Sequence, residues 1–309
     1  YAKRVAGEQD LDEETLLAEW QSPGFDLAAA SQVALGGDGQ IVAYADFFGD
    51  RGARLFGWAA VHPDYFNRGL GTRLMDWIDV RARRAAEKLP EELEVILQTS
   101  VYAQDAHGRA FLEALGMQPV RRFWTMAAAL DGPPARPHFP NGFEVRPMAS
   151  MAEFPAVIQA LRDAFQDHWG NVEVSFEQEY EGWLHRMESA GDNPMHWILA
   201  LDGPEVAGLV AYRLRSYEDP DMAWVAELAV RRPWRRRGLG LALLLEAFGH
   251  LDSLGARRVG LGVDSQSLTG ATELYRKAGM RVKTERDVYE KLIRPGRPAI
   301  RRELESAAA

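Results

Sequence analysis

The sequence predicts an α+β fold repeated in tandem: two domains, each a mixed, mostly antiparallel sheet flanked by helices. Three observations carry that prediction. Gly69 and Gly71 fall on Gly238 and Gly240 at an offset of 169 (238 − 69), and Val61 and Leu74 fall on Val230 and Leu243 at the same offset. A repeat this long signals tandem domains rather than a solenoid. In each copy, apolar strands that neighbour one another in sequence lead into a Gly-x-Gly turn and then a helix, and strands outnumber helices. Between the copies, residues 131–142 (DGPPARPHFPNG) hold four prolines and two glycines, which neither a helix nor a central strand tolerates, so they read as a stiff linker.

In chain order, residues 11–20 (LDEETLLAEW) read as an amphipathic helix with an acidic start. Residues 41–48 and 55–61 read as strands joined by a hairpin turn at Gly49-Asp50-Arg51-Gly52. From Leu70 onward, Leu74, Trp77 and Ile78 share one helical face. The second copy reads as a strand at 143–147, helices at about 151–165 and 176–187, and strands at 197–201, 206–214 and 222–230. The glycine turn and its helix follow, then a strand at 257–263, a helix at 268–278 and a final strand or hairpin to Ile293. Leu115-Gly116-Met117 answers Ala278-Gly279-Met280. The first copy has only 68 residues (1–68) before its turn, against 95 (143–237) in the second, so its opening strand is expected to be missing or supplied otherwise. The expected division is therefore a first domain at 1–130, the linker at 131–142, a second domain at 143–293 and a loosely held tail at 294–309.

Length supports two cores, since 309 residues exceed one typical compact domain. Hydrophobic residues at 47% and charged residues at 26% are ordinary globular values, and no apolar run approaches a membrane span, so neither a membrane partner nor a signal peptide is expected. The absence of cysteine removes disulfides, thiolate metal sites and an acyl-cysteine intermediate, and a cytoplasmic address is expected. A net charge of −9 argues against nucleic-acid binding. Seven histidines without an H-E-x-x-H or similarly dense spacing give no expected metal site.

Against that acidic background, Arg231, Arg232, Arg235, Arg236 and Arg237 crowd the second glycine turn. A Gly-x-Gly turn opening a helix lets backbone N–H groups face outward at the positive end of the helix dipole, which makes an anion cradle, and the arginines suit it to polyphosphate. A dinucleotide fingerprint needs a third glycine, and a nucleotide P-loop needs Gly-Lys-Ser/Thr; neither is present.

Arg235-x-x-Gly238-x-Gly240 resembles the coenzyme A signature of the GNAT acetyltransferase superfamily. The resemblance extends through Val263-Asp264-Ser265 and the GATELYRKAGM segment at 270–280. It implies an acetyl-CoA-dependent N-acetyltransferase with acetyl-CoA as cosubstrate. Arg235, Arg236, Arg237, Gly238, Leu239, Gly240 and Leu241 would hold the diphosphate. The backbone of Leu228, Ala229 and Val230 would hold the pantetheine, and one of its N–H groups would polarise the thioester carbonyl. Tyr275 stands where the superfamily places a general acid; a phenol of pKa near 10 stays protonated at neutral pH and can protonate a thiolate of pKa near 8.5. Glu227, three residues before Val230, is the candidate base through water, with Asp264 as runner-up. Asp167, His168 and Trp169 fall in the break between the first two helices of the second copy, which borders the acceptor site in the superfamily.

In the first copy, Leu112 stands in place of Tyr275 and Phe66 in place of Arg235, so that copy is expected to be catalytically impaired. Arg68, Gly69 and Gly71 either still grip a coenzyme or merely begin a helix. Duplicated members of the superfamily with a weakened first copy and an intact second one include the mycothiol synthases, which this chain is similar to in layout without matching at acceptor positions. Amino sugars, antibiotics, polyamines and peptide N-termini all remain open as acceptors. A non-catalytic acyl-CoA sensor or scaffold is the alternative, and oligomeric state is not legible.

Overall fold

The computed structural model describes residues 1–298 apart from 8–12, 21–25, 50–51, 133, 167, 172–173, 189, 217–218 and 268–269. Helices α1 (Ala2–Ala6), α2 (Glu13–Trp20) and α3 (Leu27–Ala30) precede strands β1 (Ser31–Leu35), β2 (Ile41–Phe48) and β3 (Arg54–Val61). Helix α4 (Leu70–Ala86), β4 (Val95–Tyr102), α5 (Ala106–Ala114) and β5 (Gln118–Ala129) complete the first half. The second half runs β6 (Glu144–Pro147), α6 (Phe154–Phe165), α7 (Phe176–Glu188), β7 (His196–Asp202), β8 (Glu205–Arg213) and β9 (Ala223–Val230). It ends with α8 (Leu239–Ser253), β10 (Arg258–Asp264), α9 (Ala271–Lys277) and β11 (Arg281–Arg294). Most of these elements lie where hydrophobic periodicity puts them. Strand β1 does not, because SQVAL has too few residues to display an alternation. Among the described residues the first half has no counterpart of β6, and residues 2–6 are helical. Asp50, Arg51, Leu268 and Thr269, read as hairpin turn and helix start, lie outside the described residues.

The chain folds into two compact units. Unit 1 comprises Tyr1–Phe123 and the segment that begins at Glu285; unit 2 comprises Trp124–Thr284. The crossings fall inside β5 and β11, and residues 131–142 lie within unit 2. Each half thus gives the second part of its last strand to the unit built mainly from the other. In unit 1, Arg286–Arg294 of β11 pairs antiparallel with Tyr102–Val95 of β4. In unit 2, the second part of β5 lies beside β10, and the N–H of Leu130 donates to the Arg257 carbonyl at 2.7 Å. The transferred strands are anchored by burial. Tyr289 is buried with Leu55, Ile78 and Leu97 in unit 1, while Met126 and Leu130 enter the unit 2 core beside Leu243, Phe248 and Leu261. Arg294 donates to the carbonyls of Leu93 and Ala86, and Arg297 bridges to Leu93, so the head of the segment read as a loose tail is fastened.

Unit 2 buries both faces of its sheet. Helix α8 covers one with Leu243, Leu244, Ala247 and Phe248; α6 and α7 cover the other with Phe154, Ile158, Leu161 and Trp183. Strand β9 is antiparallel to β8 but parallel to β10, a mixed sheet. Among the described residues no helix is long and apolar enough to cross a membrane.

Candidate functional site

Strands β9 and β10 pair only at Val259–Ala223 and Gly260–Trp224. Beyond Trp224 the pairing stops, so among the described residues β9 from Val225 to Val230 has no strand partner on this edge. The sequence favours that stop locally. A Cβ at Gly260 would lie 3.0 Å from the Trp224 ring, so glycine lets this large side chain lie over β10 where the pairing stops. On its other edge β9 is bulged: Ala211 opposes Glu227 and Tyr212 opposes Val225, leaving Ala226 without an opposite residue. A bulge breaks the ladder and re-aims side chains, here immediately before Glu227.

The glycine turn follows β9. Arg236 and Gly238 both have positive φ, 64° and 86°, and Gly238 caps α8 without a side chain. The first bond that closes the helix runs from the Ala242 N–H to the Gly238 carbonyl. Among the described residues, the amides of 236–241 have no hydrogen-bond acceptor. Such amides are the donors an anion at this helix start would need, and Arg236, Arg237 and Gly238 are exposed. Leu239 is buried; Gly240 and Leu241 are partly so. A Cβ on Gly240 would approach Leu274 to 3.1 Å, so glycine there lets α8 pack closely on α9.

Four of the five arginines divide into two groups. Arg235 donates from Nε to the Val230 carbonyl at 3.0 Å and from Nη2 to the Ala164 carbonyl at 2.8 Å, tying the turn to β9 and to the end of α6. Arg231 is held by Asp163 at 2.9 Å and Glu205 at 2.8 Å. These two shape the loop. Arg236 and Arg237 are the cations it presents, the Arg236 guanidinium lying 3.8 Å from the Cβ position of Gly270 at the start of α9.

Glu227 lies on the α6–α7 face, opposite the buried Ala211. Burial pushes its carboxyl up to about 7, with Arg186 opposing the rise and Glu179 adding to it. Tyr275 is buried on α9, and burial followed by the charge of Glu227 pushes its phenol up to about 12. The two groups are thus electrostatic neighbours, and among the described residues neither Glu227 nor Tyr275 has a side-chain hydrogen bond. Leu228 and Val230 are partly buried beside the α8 face and Ala229 is buried on the other; their side chains are core. Asp264 caps its own turn, accepting from the Gln266 N–H at 2.9 Å.

His168 follows α6, with its ring edge-on to Phe165 at 4.6 Å, and Trp169 beside it is partly buried. Asp167 lies outside the described residues. Reading the sequence missed Glu179 and Arg186. Their spacing around Trp183 (i, i+4, i+7) was a legible signal, because it puts all three on one face of α7. Among the described residues no cluster of three or more His, Asp or Glu is placed to hold a metal ion.

Unit 1 repeats the turn with different side chains around it. Asn67 and Gly69 have φ of 59° and 77°, matching Arg236 and Gly238 at the offset of 169 (236 − 67 and 238 − 69). Arg68, however, donates to the Asp64 carbonyl at 3.1 Å and lies over the Tyr65 ring, and Phe66 stacks on His107. Gly71 packs against Phe111, as Gly240 does against Leu274. Leu112 is buried at the place of Tyr275, and Trp58 stands at the place of Glu227 (227 − 169).

Comparison with known proteins matches the acetyltransferase (GNAT) family over residues 154–280 and an acetyltransferase (GNAT) domain over residues 29–117. A GCN5-related N-acetyltransferase from Sphaerobacter thermophilus is 33% identical, with a TM-score of 0.82 over 96% of this chain and 91% of that one. A mycothiol acetyltransferase from Salinispora arenicola is 26% identical over 295 residues, covering 89% of this chain and 86% of the relative. A tandem GNAT protein from the clavulanic acid biosynthesis pathway shares the fold, at 16% identity and a TM-score of 0.69 over 95% of this chain and 93% of that one.

Proposed function

The chain belongs to the GNAT acetyltransferase family and uses acetyl-CoA as cosubstrate, and from that premise we propose that unit 2 carries out direct acetyl transfer to a primary amine. The observation that carries this reading is the pairing of Glu227 and Tyr275, two titratable groups held in protein surroundings without hydrogen bonds to spend their protons on. In the reaction the amine nitrogen bonds to the acetyl carbon while the carbon–sulfur bond breaks. Glu227 takes the proton the amine gives up, directly or through one water, and its pKa of about 7 leaves much of it ionised at neutral pH. Tyr275, protonated at working pH because its pKa is raised to about 12, gives its proton to the sulfur as the carbon–sulfur bond breaks, and the phenolate is reprotonated from solvent as the proton on Glu227 is released. Acetyl-CoA supplies an activated thioester whose diphosphate suits the amides of 236–241 with Arg236 and Arg237. Arg235 supports that loop, and the unpaired edge of β9 around Leu228, Ala229 and Val230 suits the pantetheine.

His168 and Trp169 border the acceptor side in this reading. Unit 1 is non-catalytic in it, since Leu112 and Trp58 exchange no protons, and Arg68, Gly69 and Gly71 serve the fold first. The acceptor is a small molecule or peptide bearing an amine, and the protein is cytoplasmic. Thiol release from acetyl-CoA across a panel of amino sugars, polyamines and peptides is the test. Turnover of at least one amine that Tyr275→Phe and Glu227→Gln each slow supports the reading. Tight coenzyme binding with no amine acetylated would favour an acyl-CoA sensor instead, a role that unit 1, without acid or base, already suits.

A further inference from the structure

Unit 2 holds a cavity of about 250 Å³, partly open to solvent, where β7 begins and β8 ends. On β8, Tyr212 lies four residues beyond Gly208, which opposes Val230 beside the glycine turn, so the cavity and the turn are about 13 Å apart along the strand. His196 of β7 stands directly opposite Tyr212 in the ladder, and their rings stack at 5.3 Å and 12° in the cavity wall. Met148, Met187 and Met195 line the cavity with thioethers, and among the described residues no Asp, Glu, Lys or Arg does. The polar atoms of the wall fall into two kinds. Tyr212 Oη lies 3.0 Å from His250 Nδ1, while His250 Nε2 lies 3.5 Å from the Glu246 carboxylate. Glu246 draws the imidazole proton to Nε2, so Nδ1 accepts from the phenol and both groups are satisfied within the protein. His196 and Trp197 are not. Among the described residues, His196 Nε2 and Trp197 Nε1 are shielded from solvent and have no hydrogen-bond partner. Trp197 is 4% exposed, so its indole N–H has lost water without gaining an acceptor. Burial, followed by the charge of His250, pushes His196 below the ordinary imidazole range, so its ring is neutral near pH 7.

We propose that this cavity is a second ligand site, which takes a neutral aromatic molecule bearing a hydroxyl group, a phenol in chemical class. The ring packs on the thioethers, which favour aromatic partners and are flexible enough to move aside from the two nitrogens. The hydroxyl accepts from the Trp197 N–H or donates to the neutral His196 ring. A charged ligand would leave water for a wall without a counter-charge, and a wholly apolar one would leave both nitrogens unsatisfied. Size agrees: an apolar cavity of about 150 Å³ admits benzene, so this one has room for a substituted ring. The site is independent of the acetyl-transfer reading.

The test is an NMR titration of the full chain with its methionine methyls labelled with carbon-13, the resonances of Met148, Met187 and Met195 being identified by single substitution to leucine. The probes are p-cresol, toluene and 4-methylbenzoate, which share one ring and differ in its polar group. The expected result is a saturable shift of these methyls with p-cresol, and binding weaker by roughly threefold or more for both other probes. His196→Phe or Trp197→Phe should narrow the preference for p-cresol over toluene, and Met195→Trp, which fills the cavity, should abolish the shifts of Met148 and Met187. Should Met195→Trp not fold, Met148→Phe takes its place. Absence of a saturable shift, meaning a cavity that holds water only, overturns the proposal. So do shifts that persist in the filled cavity, equal binding of toluene or 4-methylbenzoate, or a preference for p-cresol that both nitrogen-deleting variants leave intact. None of these outcomes bears on acetyl transfer, which is assayed separately by thiol release.

Discussion

At the scale of single residues, the role proposed for Glu227 conflicts with stability. Its folded pKa of about 7 lies above the ordinary value of 4.5, so between those two pH values the folded chain binds more protons than the unfolded one. Stability therefore falls as pH rises through that window, and the penalty is complete above it. Glu227→Gln removes the penalty. Because Glu227 keeps partial contact with solvent, the expected gain at pH 8 is discounted to about 1–2 kcal/mol. Thermal unfolding should show the variant more stable than the parent at pH 8 and nearly equal at pH 4. The same substitution should abolish the rise of kcat/KM with pH near neutrality, and a rise that persists would identify another base. Tyr275→Phe should lower kcat by about 10²-fold or more with coenzyme binding little changed. Equal turnover in the phenylalanine enzyme would remove Tyr275 from the chemistry. Neither perturbed pKa was legible in the sequence, because desolvation depends on which elements cover a residue, and α7 comes from a distant stretch of chain.

At the scale of elements, the turn between β9 and α8 was the most legible part of the site. A positive-φ glycine, a helix start and a run of arginines are local facts, and local facts survive folding. What local reading does not distinguish is which arginines turn outward: Arg235 bonds to the Val230 and Ala164 carbonyls, while Arg236 and Arg237 stay exposed. Two substitutions separate backbone shape from charge. Gly238→Ala puts a Cβ at φ 86° where no atom lies within 4 Å, so its cost is conformational, about 1–2 kcal/mol of stability. Arg236→Gly relieves a non-glycine residue at φ 64° and should leave stability equal or up to about 1 kcal/mol higher, while removing an exposed cation from the cradle. Both should weaken coenzyme A binding. Calorimetric titration beside urea unfolding checks this, and unchanged affinity in both variants would mean that the turn is only a helix start.

At the scale of the whole molecule, duplication was legible and strand exchange was not. The repeat at an offset of 169 forecast two cores, but the alternation of apolar residues in β5 and β11 looks the same whichever sheet those strands join. Each exchanged strand fills a core that the other half does not complete by itself: Tyr289 in unit 1, Met126 and Leu130 in unit 2. Burial at about 1.5–3 kcal/mol per large apolar side chain, added to a lost ladder, is comparable with the 5–15 kcal/mol that stabilises a domain. Fragments 1–130 and 143–309 made separately should therefore lack cooperative unfolding transitions and recover one when produced together; two independently folded fragments would show that exchange is dispensable. The role of unit 2 as the catalytic unit is tested most directly by a crystal structure of the complex with acetyl-CoA. The expected density places the diphosphate against the amides of 236–241 and the thioester beside Tyr275 and β9. Coenzyme bound only at the turn of Gly69 and Gly71, with the second turn bare, would contradict it.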